Sequence, residues 1–206
     1  MTNLLSWIIW LPIAVAVILA FFPRTAVGAI KSTGLIASIG TFLLSLTILQ
    51  RFQDGVASMQ LVESHAWIPQ WGIRYALGVD GISLWLVLLT TLLTPVVFLS
   101  SWNAIHKHPK EYVIAFLIME AAMIGVFLAT DILVFYVFFE LTLLPMYLVI
   151  GVWGGANRIY AAIKFFLFTI AGSLLMLLGI IYLAFLEYHR TGIPNFSIEK
   201  LGIPVR

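Results

Sequence analysis

At 206 residues, with 62% hydrophobic and only 10% charged side chains and a mean hydropathy of +1.08, the chain lies well outside the composition of soluble domains. It reads as an all-α integral membrane protein, one membrane-embedded domain over 1–206 with room for about six spans and none for a soluble domain beside them. The net charge of +2 is too slight and too dispersed to argue for a nucleic-acid partner. Cysteine is absent, which excludes thiolate-held metal, iron–sulfur clusters and disulfides in this chain.

In chain order, Leu4–Phe22 is the first expected span, ended by Pro23 and Arg24. Met1–Trp7 has no positive n-region and the apolar run is too long for an h-region, so a retained span is expected rather than a signal peptide. Lys31–Leu49 is the second span; its Gly34, Ser38, Gly40 and Thr41 allow close helix approach. Arg51–Gly81 is the longest polar connection. Its Trp67, Pro69, Trp71 and Tyr75 suit headgroup depth, and Ala66–Leu77 is a candidate for a short hairpin of imperfect alternation.

Ile82–Trp102 is the third span, expected to be interrupted at Pro95 beside the Thr90, Thr91 and Thr94 hydroxyls. A charged turn, His106 to Glu111, follows; two histidines without a third ligand nearby read as a solvated loop and no metal is expected. Tyr112–Thr130 and 132–152 are the fourth and fifth spans, and Ala161–Leu186 the sixth. The last stretch, from Glu187, reads as a loop between helices.

Two acids stand out inside the spans. Glu140 sits near the middle of an apolar run, where an acid costs on the order of 3 kcal/mol on insertion scales and therefore needs a protein interior, water or a partner. Pro145, five positions on, cannot donate to the Leu141 carbonyl and should loosen the helix beside the acid. Glu120 lies eleven residues before Asp131 and Glu140 nine after it, so in a tight hairpin the two carboxyls differ in depth by about 3 Å. Facing one another, they would form a coupled pair able to pass a proton. The plainer alternative is a polar residue that only packs helices. Lys164, within the first turn or so of the sixth span, is expected near the interface with its stem snorkelling, and is the weaker candidate for a relay cation.

Short loops set orientation. Arg24 and Lys31, Lys107 and Lys110, and Arg158 and Lys164 place the first, third and fifth loops inside, with both ends of the chain outside.

The run FELTLLPMYLVIGVWGG, with MEAAMIGVFLATD before it, RIYAAIKFFLFTIAGSLLML after it and the earlier ALGVDGISLWLVLLT, resembles the subunit M (chain 4) family of respiratory NADH:quinone oxidoreductase, complex I. The resemblance covers essentially the whole chain. It implies the amino-terminal part of an antiporter-like fold of about fourteen helices with inverted repeats. It also implies proton translocation coupled to electron transfer elsewhere: NADH, FMN, iron–sulfur clusters and quinone belong to partner subunits, and this chain carries no cofactor. The expected partners are other membrane subunits of the complex, above all neighbouring antiporter-like ones, in an inner (plasma) membrane. By position, Glu140 matches the family's fifth-span acid and Glu120 its fourth-span acid. The family's lysine on a broken seventh span lies beyond this chain. A subunit of a Mrp-type sodium/proton antiporter and a non-transporting assembly protein remain the alternatives.

Overall fold

The computed structural model describes residues 3–56, 58–192 and 196–198. They form six helices and one antiparallel hairpin: α1 (Leu4–Ala20), α2 (Val27–Arg51), β1 (Gln60–Ile68), β2 (Ile73–Val79), α3 (Gly81–Ser100), α4 (Pro109–Leu128), α5 (Ile132–Trp153) and α6 (Arg158–Thr191). The chain is a mostly helical membrane protein. Helices α2 to α6 are long and apolar enough to cross a bilayer, whereas α1, with 17 residues, is a shorter apolar helix. With 34 residues α6 is about 50 Å long, well beyond a hydrocarbon core of about 30 Å.

Prolines lie inside three helices without ending them: Pro12 in α1, Pro95 in α3 and Pro145 in α5. The expected interruption at Pro95 does not occur. Thr94 donates its hydroxyl to the Thr90 carbonyl at 3.1 Å and Thr91 to the Val87 carbonyl at 3.0 Å, so hydroxyls share the backbone bonding of this turn.

Helix α4 is the hub, packed against α1, α2, α3 and α5, while α6 leans on α5. Two glycines permit the closest approaches. A Cβ at Gly34 would collide with Val113 as α2 crosses α4, and one at Gly125 would run into the Phe138 ring as α5 crosses it.

The hairpin is longer than the expected Ala66–Leu77. It pairs Gln60 with Val79 and His65 with Tyr75 around a Pro69–Trp71 turn of 3-10 helix that closes on Gly72 at φ 69°. That left-handed conformation favours glycine. Register shifts between Gln60 and Glu63 and between Ala66 and Ile68 explain why the alternation reads so poorly in the sequence.

The two ends of the bundle are closed by opposite charges. At the hairpin end, carboxyl groups cover helix amino termini. Glu63 of β1 accepts from the Leu5 and Ser6 amides of α1, Asp80 accepts from Ile82 and Ser83 at the start of α3, and Asp131 accepts from Leu133 and Val134 at the start of α5. At the other end, lysines cover carboxyl termini. Lys110 donates to the Ala20 and Phe22 carbonyls behind α1, and Lys31 to those of Trp102 and Ile105 behind α3. Both arrangements satisfy groups that a helix leaves open and oppose its dipole.

Residues 129–132 are sandwiched at the hairpin end. The Thr130 amide donates to Ala76 of β2, and on the other side Ile198 donates to the Thr130 carbonyl and Ile132 to that of Phe196. The rest of the stretch expected to be a loop after α6 lies largely outside the described residues.

Candidate functional site

Glu120 sits on α4, the most enclosed helix, and is only 2% exposed. Neither of its carboxyl oxygens has a hydrogen-bond partner. The polar side chain set against it is Thr94 of α3, whose hydroxyl proton is already given to the Thr90 carbonyl. Glu120 therefore looks toward α3.

Glu140, on α5, is half-buried, with Oε1 buried and unpartnered. Its polar neighbour is Tyr136, one turn earlier on the same helix face, and the Tyr136 hydroxyl also interacts with Ser173 of α6. Ser173 is buried and donates to the Ile170 carbonyl at 3.1 Å, so it offers Tyr136 lone pairs. Glu140 thus belongs to the α5–α6 side. No hydrogen bond among the described residues joins the two carboxyls, and the structure gives each acid its own hydroxyl partner on a different neighbouring helix.

Tyr136 and Ser173 carry a signal that sequence reasoning passed over. Tyr136 is four residues before Glu140, the spacing that stacks two side chains on one helix face. Ser173 stood out only as a small residue in the middle of a span, and its role depends on how α6 is turned against α5.

Lys164 is placed apart from both acids. It is exposed on the second turn of α6, with Nζ 5.7 Å from the centre of the Tyr160 ring. Pro145 is buried within an unbroken α5, five residues beyond Glu140. A groove of about 270 Å³ between α4, α5 and α6 is lined mainly by Met119, Met123, Phe127, Phe139, Met146 and Phe165. Neither Glu120 nor Glu140 lines it, so this apolar space is not a common chamber for the acids.

An acid buried without a cation, next to a hydroxyl, can take up or release a proton but offers little else: nothing here resembles a nucleophile with its base, and among the described residues no group of three or more metal-ligating side chains occurs.

Comparison with known proteins places this geometry. Residues 9–130, more than half of the chain, match the family described as NADH-ubiquinone oxidoreductase chain 4, amino terminus, and residues 129–202 match that described as NADH:quinone oxidoreductase/Mrp antiporter, TM. NADH-quinone oxidoreductase subunit M of Rhodobacter capsulatus is 50% identical over 185 residues, which cover 88% of this chain and 36% of that protein. NADH-ubiquinone oxidoreductase chain 4 of Arabidopsis thaliana is 48% identical over 195 residues, covering 94% of this chain and 39% of the relative. Among solved structures, a chain of respiratory complex I from Thermus thermophilus superposes with a TM-score of 0.76 at 30% identity, over 96% of this chain and 38% of that one. The chain thus spans well under half the length of these relatives. It belongs to the family of NADH-ubiquinone oxidoreductase chain 4 and corresponds to its amino-terminal part.

Proposed function

We propose that this chain is the amino-terminal portion of an antiporter-like membrane subunit of an NADH:quinone oxidoreductase, and that it moves protons while electrons pass through other subunits. Glu140 is the principal proton-carrying group and Glu120 a secondary one. Lys164 is the least supported of the three, because it is exposed and lies against Tyr160. The observation that carries the reading is the Glu140 carboxyl itself, held in a membrane helix with one oxygen buried and unpartnered and a hydroxyl as its neighbour. NADH, FMN, iron–sulfur clusters and quinone are assigned to partner subunits, and neighbouring antiporter-like subunits are the expected contacts. The lysine end of the bundle, with Lys31, Lys107 and Lys110, is assigned to the inner side of the membrane and both ends of the chain to the outer side.

The test is proton pumping by the assembled complex. Glu140→Gln should abolish or strongly reduce it, Glu140→Asp should be intermediate and Glu120→Gln should reduce it less. Full pumping by an assembled Glu140→Gln complex removes Glu140 from the mechanism. The family description that spans residues 129–202 also names Mrp antiporters, so a Mrp-type subunit is the second reading. Co-purification with other antiporter subunits, and without NADH-oxidising ones, would favour it.

A further inference from the structure

The Glu120 side of α4 has a property that the Glu140 side lacks: every polar atom gathered there is an acceptor. Thr94 Oγ1 gives its proton to Thr90 O at 3.1 Å. The Thr91 hydroxyl and Ser45 of α2 approach to 2.8 Å, and each also has a carbonyl of its own helix within reach, Val87 for Thr91 and Phe42 for Ser45. Thr41 gives its proton to Ala37 and Ser38 to Leu35. Pro95, buried in α3, has no N–H to offer the Thr91 carbonyl, which adds one more acceptor to the turn that carries Thr94. The two Glu120 oxygens complete the set, both buried and both without a donor.

Cations do not reach this cluster. Helices α1, α3 and α5 carry no Lys or Arg. Lys31 and Lys110 spend their ammonium groups on carbonyls at the lysine end, and Arg51 is the last residue of α2. A group of acceptors with no donor is electrostatically incomplete inside a bilayer, and the smallest ligand that completes it is a proton on the carboxyl.

We propose that Glu120 is the acid of a second buried proton site, separate from that of Glu140, in which its carboxylic O–H donates to Thr94 Oγ1 and Thr94 is the residue that positions it. The geometry assigns each element a part. Thr90 turns the Thr94 hydroxyl so that its lone pairs are presented, Pro95 keeps the neighbouring carbonyl free, and α4 holds the carboxyl away from α6. The inference rests on the proposed reading of Glu120 as a proton-carrying group, but its test does not use pumping.

The experiment is infrared spectroscopy of the 206-residue chain in lipid bilayers, reading the carbonyl stretch of protonated carboxyl groups. One band should disappear in Glu120→Gln. In Thr94→Val, which keeps the shape and removes the hydroxyl, that band should move to higher frequency because the acid loses its hydrogen bond. In Thr94→Ser it should return to its original position, and in Glu140→Gln it should stay where it is. Absence of any band lost in Glu120→Gln would show the acid ionised and overturn the proposal. A band indifferent to Thr94→Val would remove Thr94 from it, and a band displaced by Glu140→Gln would join the two acids into one coupled pair. A complex that pumps fully as Glu140→Gln, yet keeps this band, would sink the functional reading and leave the second site standing.

Discussion

Glu63 Oε1 accepts the Leu5 amide at 2.7 Å across 58 residues of chain, and Oε2 accepts the Ser6 hydroxyl at 2.6 Å and the Ser6 amide at 3.1 Å. A helix amino terminus is thus capped by a strand rather than by its own preceding residue; Asn3, in the capping position, makes no side-chain bond. Glu63→Ala should lower stability by about 2–3 kcal/mol, since it removes a charged acceptor from buried donors. Ser6→Ala should lower it by about 1 kcal/mol. Denaturant titration of the chain in detergent micelles measures both, and an unchanged midpoint for Glu63→Ala would contradict the capping role.

Two aspartates outside the spans respond to pH in opposite senses. Burial raises the Asp131 carboxyl above the ordinary 3.8, against the Arg74, Val134 and Leu133 amides. The Ser83 amide leads the bonds that pull Asp80 below 3.8. A raised value means that the folded chain holds the proton more tightly, so the Asp131 contribution is full below 3.8 and is lost as pH rises through the shifted value. The Asp80 contribution is present above 3.8 and is lost as pH falls through the lowered value. In a stability profile from about pH 2 to about pH 7, Asp131→Asn should flatten the decline above 3.8 and Asp80→Asn the decline below it. Identical profiles for the two variants would refute the assignment.

Gly125 should tolerate no side chain. Any Cβ there meets the Phe138 ring, which is rigid and itself buried, so α4 and α5 would have to separate. Gly125→Val should destabilise the bundle by about 1–3 kcal/mol. Trimming the ring in Gly125→Val/Phe138→Leu should recover part of that loss in the same denaturation assay. Gly28, with open space around it, is the control, and its substitution by alanine should be nearly neutral.

The proposed orientation can be read with single cysteines in this cysteine-free chain. Ala104 and Asn157 are exposed at the lysine end, and Asp54 is exposed in the connection leading to the hairpin. In sealed cells an impermeant thiol reagent should label Asp54→Cys and spare Ala104→Cys and Asn157→Cys. Labelling in the reverse pattern would invert the assignment.

Much of this architecture was written in runs of residues. Apolar length gave the helices, and Asp80 with Ser83 forms a capping box visible in the sequence. The depth of Glu120 and Glu140 also followed from counting along a helical hairpin. Which way each acid turns did not, because apolar side chains surround α4 and α5 on all sides and leave no periodic stripe to fix their rotation. The facing pair that equal depth allows is replaced by Thr94 on one side and Tyr136 with Ser173 on the other. Glu63 was hidden for a different reason: its donors lie at the far end of the connection, and two register shifts mask the strand that carries it.

The sandwich at residues 129–132 has a mechanical side. Asp131 ties the first turn of α5 to the Arg74 amide of β2, Thr130 ties the same stretch to Ala76, and Phe196 and Ile198 grip it from beyond α6. The helix that carries Glu140 therefore cannot slide along its axis alone. A displacement of even one ångström would stretch hydrogen bonds on both flanks at once, so it must either drag the hairpin with it or be absorbed further down, at the turn of α5 that Pro145 leaves one bond short.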